Sequence, residues 1–526
     1  MAKHITGTLT VLIVLMATGS LAQQEETTLS LSLEDCILKA MRNNLSVAVE
    51  VLNPELSDIS VSMAKEKFMP NLSFNYNKRD TNTAAYSFLD AADQVSTLYN
   101  DYSVDFSQLI PTGGSFSISL DGYKNDTNRR LQTINPRYGA TLTFNFTQPL
   151  LKDFGFKASR REIIVAQNNS DISENTFKRV LQDTIYNVEQ AYWNLVYSIE
   201  NLKVRRQSLE LARDLLERNK RAVEVGSLAP IEILSAQADV ATREADIFEA
   251  ETLVKNNEDL LKTIINLPAE VKAAEVVQII PGYRPDYKTM ELNLEEVNLD
   301  EVLLTALKNR PDLKATRIDL KNKEFDLSYT RNQLLPDLSL QASYWSPGIT
   351  GDQVLYDLDD PFGPPIGTIP GSPSDALRDA VNFRYKNWTV GLTLNIPLNS
   401  IFSRAAYAQA RINLDQTVLR LKEQEQQIFL EIKTAVRAVQ TNFKRAQAYK
   451  VARELAEEKL EAEEEKLKVG LSTNYFVLQY QRDLATAQTQ ELKAIIDYIL
   501  SLAFLSKASG ISLEEKNIEI SDVLKY

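Results

Sequence analysis

Apolar side chains recur along residues 158–225 at Phe177, Leu181, Ile185, Val188, Tyr192, Leu195, Ile199, Leu202, Leu209, Ala212, Leu216 and Val223. The mean spacing is about 3.5 residues, the period of a helix packed lengthwise against other helices. Neither proline nor glycine interrupts the run, and at 1.5 Å per residue the helix would be about 100 Å long. Such a helix needs a partner of its own length, and the chain supplies one. Residues 404–469 repeat the first run at a fixed offset of 244, with Ala166 matching Ala410, Val188 Ile432, Ala191 Ala435, Leu211 Leu455, Val225-Gly226 Val469-Gly470, and Asp239 Asp483. The chain is a duplication.

A second repeat, at an offset of 266, relates Leu33–Met69 to Leu299–Leu335, each read as a helical hairpin, the first broken near Pro54. After Pro70 and Pro336 the helical period gives way to alternation: Leu72, Phe74, Tyr76 in one half, Leu338, Leu340, Ala342, Tyr344 in the other. The reverse change comes at Pro149 and Pro397, after the alternating sets Tyr138 to Phe146 and Trp388 to Ile396. Proline ends a helix at the preceding residue and is tolerated at a strand end, so these four prolines mark helix–strand junctions. Strands of about ten residues with one apolar face suit a transmembrane β-strand; a half-buried soluble sheet would alternate in the same way. The first half holds an extra pair, Tyr102-Val104-Phe106 and Phe116-Ile118-Leu120, joined by Pro111-Thr112-Gly113-Gly114, which reads as a β-hairpin. The polar stretches Arg79–Asn100 and Ser346–Arg384 read as long loops. Tyr344, Trp345, Tyr385 and Trp388 gather at the loop ends, as an interfacial aromatic belt or as ordinary strand-end packing.

The expected organisation is a secretory signal over 1–22, with Lys3 and His4, an apolar run Leu9–Ala17 and Ser20-Leu21-Ala22 at its end. A first repeat follows over 23–266, with strands about 70–79 and 137–148, the extra hairpin about 101–122 and long helices about 158–265. Then come a connector, 267–298, a second repeat, 299–512, with strands about 336–345 and 388–397 and long helices about 401–508, and a tail, 513–526.

Composition narrows the function. The net charge of −13, without a basic cluster, speaks against nucleic acid as a partner. The one histidine, His4, lies in the signal, which removes histidine general bases and the usual zinc sites from the mature chain. Cys36 is the sole cysteine, so no intrachain disulfide forms; it matches Val302 and reads as a small buried residue, with lipid attachment as the sharper alternative. Acidic runs such as Glu463-Glu464-Glu465 read as solvated helix faces, and no catalytic residue, metal ligand or cofactor is expected. After the signal no apolar run approaches twenty residues, so any membrane crossing would use strands.

The run Ala306-Leu307-Lys308-Asn309-Arg310-Pro311-Asp312-Leu313 resembles the signature that opens the second half of TolC-like outer-membrane efflux proteins. The turn Val469-Gly470-Leu471-Ser472-Thr473, with Leu478 and Asp483 beyond it, is similar to that family's periplasmic tip, and the resemblance covers about residues 30–512. It implies a mainly α, duplicated fold: a long helical periplasmic tunnel and a β-barrel shared by a homotrimer in outer-membrane lipid of a Gram-negative bacterium. Each protomer would give four strands, or six if the extra hairpin joins. The implied function is passive export of solutes or polypeptides, driven by an inner-membrane transporter through a periplasmic adaptor protein. Val225, Gly226, Leu228, Val469, Gly470, Leu471, Ser472 and Thr473 would be the adaptor-docking tips, and Glu232, Phe476 and Gln479 the tunnel gate. Where the family commonly places acidic gate residues this chain has Phe476 and Gln479, a departure from the pattern. The competing reading is a secreted or surface coiled-coil protein without a channel.

Overall fold

The computed structural model describes residues 28–86, 90, 93–129, 132–267, 278–282, 297–357, 359 and 363–518. The expected signal, most of the connector and the end of the tail lie outside the described residues. In chain order the elements are β1 (Thr28–Leu31), α1 (Leu33–Asn43), α2 (Leu45–Glu66), β2 (Asn71–Ala84), β3 (Gln94–Leu109), β4 (Ser115–Thr127), β5 (Ile134–Pro149), a short α3 (Phe156–Ser159), α4 (Arg161–Glu224), α5 (Ile231–Ile264) and β6 (Gln278–Pro281). The second half continues with α6 (Leu299–Asn309), α7 (Pro311–Asn332), β7 (Asp337–Leu355), β8 (Gly367–Ile369), α8 (Pro373–Val381), β9 (Asn387–Asn395), α9 (Ile401–Lys468), α10 (Asn474–Ser509) and α11 (Ser512–Glu515). These fall into two compact units. One is Met1–Leu45, Thr184–Glu295 and Ala438–Phe504; the other is Ser46–Asp183, Glu296–Arg437 and Leu505–Tyr526.

The first unit is helical. Within it α4 buries Ile185, Val188, Tyr192, Leu195, Leu209, Ala212 and Leu216 of the apolar stripe, while Ile199, Leu202 and Val223 are half-buried. Leu215 of α4 meets Leu460 of α9 and Val477 and Leu478 of α10 in one cluster; Ala446 of α9 meets Ala494 and Ile495 of α10 in another. A small parallel sheet pairs β1 with β6, from Thr28 opposite Gln278 to Leu31 opposite Pro281. This strand inside the expected connector was not foreseen. Ser32 caps α1 in a reciprocal box with Asp35. Cys36 is fully buried in that helix, and burial, with Asp35 beside it, pushes its thiol pKa up to about 12, which leaves it unreactive.

The helix break expected at Pro54 falls elsewhere. Pro54 lies inside α2, and the chain turns instead at Asn44, whose backbone is extended at φ −65°, ψ 126°. The equivalent position at the offset of 266 is Arg310, also extended, at φ −56°, ψ 122°. There the following residue is Pro311, at the first position of α7, where a proline's missing N–H costs nothing.

The second unit holds the large sheet, in the order β2-β3-β4-β5-β7, with β9 and the three-residue β8 both on the far edge of β7. Every pair in it is antiparallel. The extra hairpin is therefore the second and third strand of the sheet. The strands also run past their apolar rows, β2 to Ala84, β3 from Gln94 and β7 to Leu355, and α8 forms at Pro373–Val381. Much of the two expected loops is thus regular, because a ladder is held by backbone bonds and continues through polar side chains. Among the helices, Ala306, Leu313, Ile428, Ile432, Val436 and Ala508 form the core shared by α6, α7, α9 and α10.

Candidate functional site

Three parts of the molecule carry the sequence-predicted residues: two helix turns, a polar joint at the Arg310 motif, and a two-faced sheet. The turns close in the same way. After α4 the amide of Gly226 bonds to the carbonyl of Val223 at 3.0 Å and that of Ser227 to Ala222 at 2.8 Å; after α9 the amide of Gly470 bonds to Leu467 at 3.0 Å and that of Leu471 to Lys466 at 2.9 Å. This paired closure needs a left-handed residue, and Gly226 and Gly470 sit at φ +76° and +78°. An added Cβ would meet nothing within 4 Å at either glycine, so conformation, not space, selects the residue. Val225, Val469 and Leu471 project into solvent at 79%, 68% and 79% exposure, and Thr473 is exposed. Leu228 is not: it is half-buried beneath its turn. Ser472 donates to Glu463 at 2.6 Å, and that hydroxyl together with Lys466 at 3.0 Å holds the Glu463 carboxyl below the usual range.

The three gate candidates keep to the partners of their own hairpins. Glu232 lies in the first turn of α5, half-buried, its carbonyl facing the Asn219 amide at 3.5 Å. Phe476 is 44% exposed at the start of α10, with its ring 5.6 Å from Tyr475 and 6.4 Å from Tyr480, and Gln479 is exposed one turn on. A neighbouring group went unnoticed in the sequence. Arg243 of α5, buried, pairs with buried Asp239 at 2.8 Å and donates to the Ser208 carbonyl of α4 at 2.6 Å and the Leu478 carbonyl of α10 at 3.4 Å. Arg482 of α10 reaches the other Asp239 oxygen at 3.1 Å. The group ties three helices; burial pulls the Arg243 pKa down against the pull of Asp239. Its signal was the charge pair spaced four apart at Asp239 and Arg243, in step with Ala236 and Ala250 on one helix face.

The motif at Arg310 is a joint of the same kind. Its guanidinium holds Asp312 through two bonds, at 3.0 and 2.8 Å, and reaches Glu431 of α9 at 2.6 Å and the Ala508 carbonyl of α10 at 3.2 Å. Asp312 also takes the Leu313 amide at 2.9 Å. Burial would raise the Asp312 pKa, but the Arg310 bonds and charge outweigh it and hold the carboxyl below its ordinary value. Ala306 and Leu313 are buried on either side, and Leu307 packs against the same core.

The junction prolines Pro70, Pro149, Pro336 and Pro397 lie at the ends of β2, β5, β7 and β9. Between these ends the register separates an apolar face from a polar one. Leu72, Phe106, Ile118, Phe144, Tyr344 and Trp388 form one row across the six long strands, and Asn71, Ser107, Ser117, Asn145, Ser343 and Thr389 form the next. Leu142, Leu392 and Leu394 lie on the apolar face, Thr143 and Thr393 on the polar one, which also carries Asp101, Asp105 and Asp121. Tyr76 and Tyr102 stand opposite each other on the apolar face with ring centroids 5.2 Å apart, and Tyr344 stands opposite Trp388 in the row of Leu72. Trp345, its neighbour, points to the polar face and leaves the expected belt, since successive strand residues alternate. Among the described residues no helix is long and apolar enough to cross a membrane.

A sheet apolar on one face and polar on the other, carried with helices of 64 and 68 residues, is that of a membrane β-barrel channel built onto long helices. The comparisons agree. The family model "Outer membrane efflux protein" matches residues 37–267 and 302–511, and the chain belongs to that family. Outer membrane protein TolC of Vibrio cholerae is 22% identical over 456 residues, covering 82% of this chain and 94% of that one. The alkaline protease secretion protein AprF of Pseudomonas aeruginosa is 21% identical over 383 residues, covering 72% and 71%. The fold matches the Campylobacter jejuni CmeC outer membrane channel with a TM-score of 0.61 at 16% identity, over 98% of this chain and 99% of that one. The protein is an outer-membrane channel of the efflux and type I secretion class, and its place is the outer membrane, extending into the periplasm.

Proposed function

We propose that three copies of the chain close one barrel in outer-membrane lipid, that their helices enclose a duct, and that a periplasmic adaptor couples this duct to an inner-membrane transporter. The sheet carries the reading: one face is apolar in every long strand while, among the described residues, its outer strands β2 and β9 each have one unpaired edge. Eight strands are the practical minimum for a membrane barrel, so one copy cannot close alone, and an open edge in lipid leaves backbone groups unsatisfied. The two repeats, 23–266 and 299–512, supply one helix hairpin each. Solutes or polypeptides pass without covalent chemistry, and nucleic acid has no part.

The adaptor docks at the turns around Gly226 and Gly470, where Val225, Val469 and Leu471 offer apolar side chains that the chain itself leaves uncovered. The duct at rest is narrowed near Glu232, Phe476 and Gln479, with the Phe476 ring supplying an apolar constriction. The deciding experiment replaces Leu471 with aspartate. Export should be lost while the trimer still assembles and inserts, because more than sixty helical residues separate each turn from its strands. Normal export, or loss of export together with the trimer, counts against docking. Phe476→Ser should raise single-channel conductance in planar bilayers, and unchanged conductance places the gate elsewhere.

A further inference from the structure

We infer that β3 and β4 are permanent wall strands, so that each copy contributes six long strands and three copies close a barrel of eighteen through pairing of β2 on one copy with β9 on the next. The inference rests on the trimer reading and goes beyond it. A hairpin appended to the outside of a barrel would not need its side chains in register with the wall. Here the apolar row runs Leu72, Phe106, Ile118, Phe144 and the polar row Asn71, Ser107, Ser117, Asn145, without a break through the hairpin. Nor does β2 pair with β5: every long-strand contact between them passes through β3 and β4.

Parity supports the closure. Two inserted strands leave the up-and-down alternation intact, so β2 and β9, at opposite edges, run in opposite directions, and their union between copies is antiparallel like every other pair in the sheet. Both edges also carry exposed apolar residues facing the same way, Leu72 and Phe74 on β2, Trp388, Val390, Leu392 and Leu394 on β9. The occupant each edge fits is therefore the opposite edge of a second copy. With strands about 4.8 Å apart and tilted about 40°, eighteen of them set a backbone diameter of about 36 Å, against about 24 Å for the twelve that would remain without the hairpin.

Cysteine pairs on the polar face test this in the assembled, membrane-inserted protein; the buried Cys36 can stay in place. Ser73→Cys with Asp105→Cys, and Ser119→Cys with Thr143→Cys, are opposed in the sheet and should oxidise to disulfides. Ser73→Cys with Thr143→Cys should not, since that link requires β2 beside β5 and the hairpin outside the wall. Its formation, or failure of both in-register links, overturns the six-strand wall. Ser73→Cys combined in turn with Thr389→Cys, Gly391→Cys and Thr393→Cys should give covalent trimers. Products that stop at dimers remove the trimer reading instead, so the two failures are told apart.

Discussion

Replacing Arg310 with glutamine should unfasten the joint that pins α7 to α9 and α10. The guanidinium makes two bonds to Asp312, one to Glu431 and one to the Ala508 carbonyl, and the three side chains are 15%, 23% and 32% exposed for Arg310, Asp312 and Glu431. Breaking a buried pair costs about 3–5 kcal/mol; because both carboxylates keep some water, the lower end, about 3 kcal/mol, is expected. The loss should also depend on pH. Asp312 is held below its ordinary pKa, so its share of stability is present above about pH 3.9, its unfolded value, and is lost as pH falls through the folded value. In Arg310→Gln that share is already missing, so the gap between variant and parent should narrow on acidification below about pH 4. Denaturant unfolding of the detergent-solubilised protein, followed by helical circular dichroism at pH 7 and at low pH, reads both effects. A cycle with Asp312→Asn should show a coupling of about 1–2 kcal/mol. Parent-like unfolding of Arg310→Gln, or additivity within about 0.3 kcal/mol, would refute the reasoning.

Lysine at Leu142 or Leu392 should cost about 2–4 kcal/mol near the bilayer centre and much less at Thr143 or Thr393, read as the yield of heat-modifiable, inserted protein; equal tolerance on both faces contradicts the sorting of the sheet. Gly470→Val forces a β-branched residue to a positive φ at a cost of about 1–2 kcal/mol, and should open the second turn to limited proteolysis while Gly470→Asn stays nearly as resistant as the parent. An unchanged cleavage pattern for the valine variant would show that the turn does not need its left-handed residue. Asp239→Asn leaves Arg243 buried without its counter-charge, at about 3 kcal/mol, and should speed amide exchange around Ser208 and Leu478; exchange as slow as in the parent would mean the group ties nothing.

The parts of this fold that were legible in the sequence are those written in side-chain period. The long helices, the four junction prolines and the apolar and polar rows of the strands follow from spacing alone, and the turns at Gly226 and Gly470 from glycine between two helical runs. What spacing does not encode was missed. Strand ends beyond the apolar rows, such as Thr81 to Ala84 and Val354, are held by backbone bonds that leave no mark in composition. The β1–β6 pair joins segments far apart in the chain and too short to show a period. Pro54 drew the helix break to the wrong place because α2 absorbs a proline, while the true break at Asn44 was recoverable from its repeat partner Arg310. The Asp239, Arg243 and Arg482 group needs three helices brought together, which no single window contains.

The duplicated joint at Asn44 and Arg310 makes the chain its own control experiment. In both copies the amide at the break bonds back four residues, Asn44 to Ala40 at 2.9 Å and Arg310 to Ala306 at 3.0 Å. In both, the side chain then reaches a carbonyl near the end of a hairpin's returning helix: Asn44 the Ile264 oxygen at 2.8 Å, Arg310 the Ala508 oxygen at 3.2 Å, and those acceptors are themselves related by the offset of 244. One ancestral hinge has thus been solved twice, once with a short neutral amide followed by leucine and once with a guanidinium followed by proline. The bend is indifferent to which solution it receives. The additional reach of arginine to Asp312 and Glu431 fastens the second bend through a charge network and ties it to α9 as well.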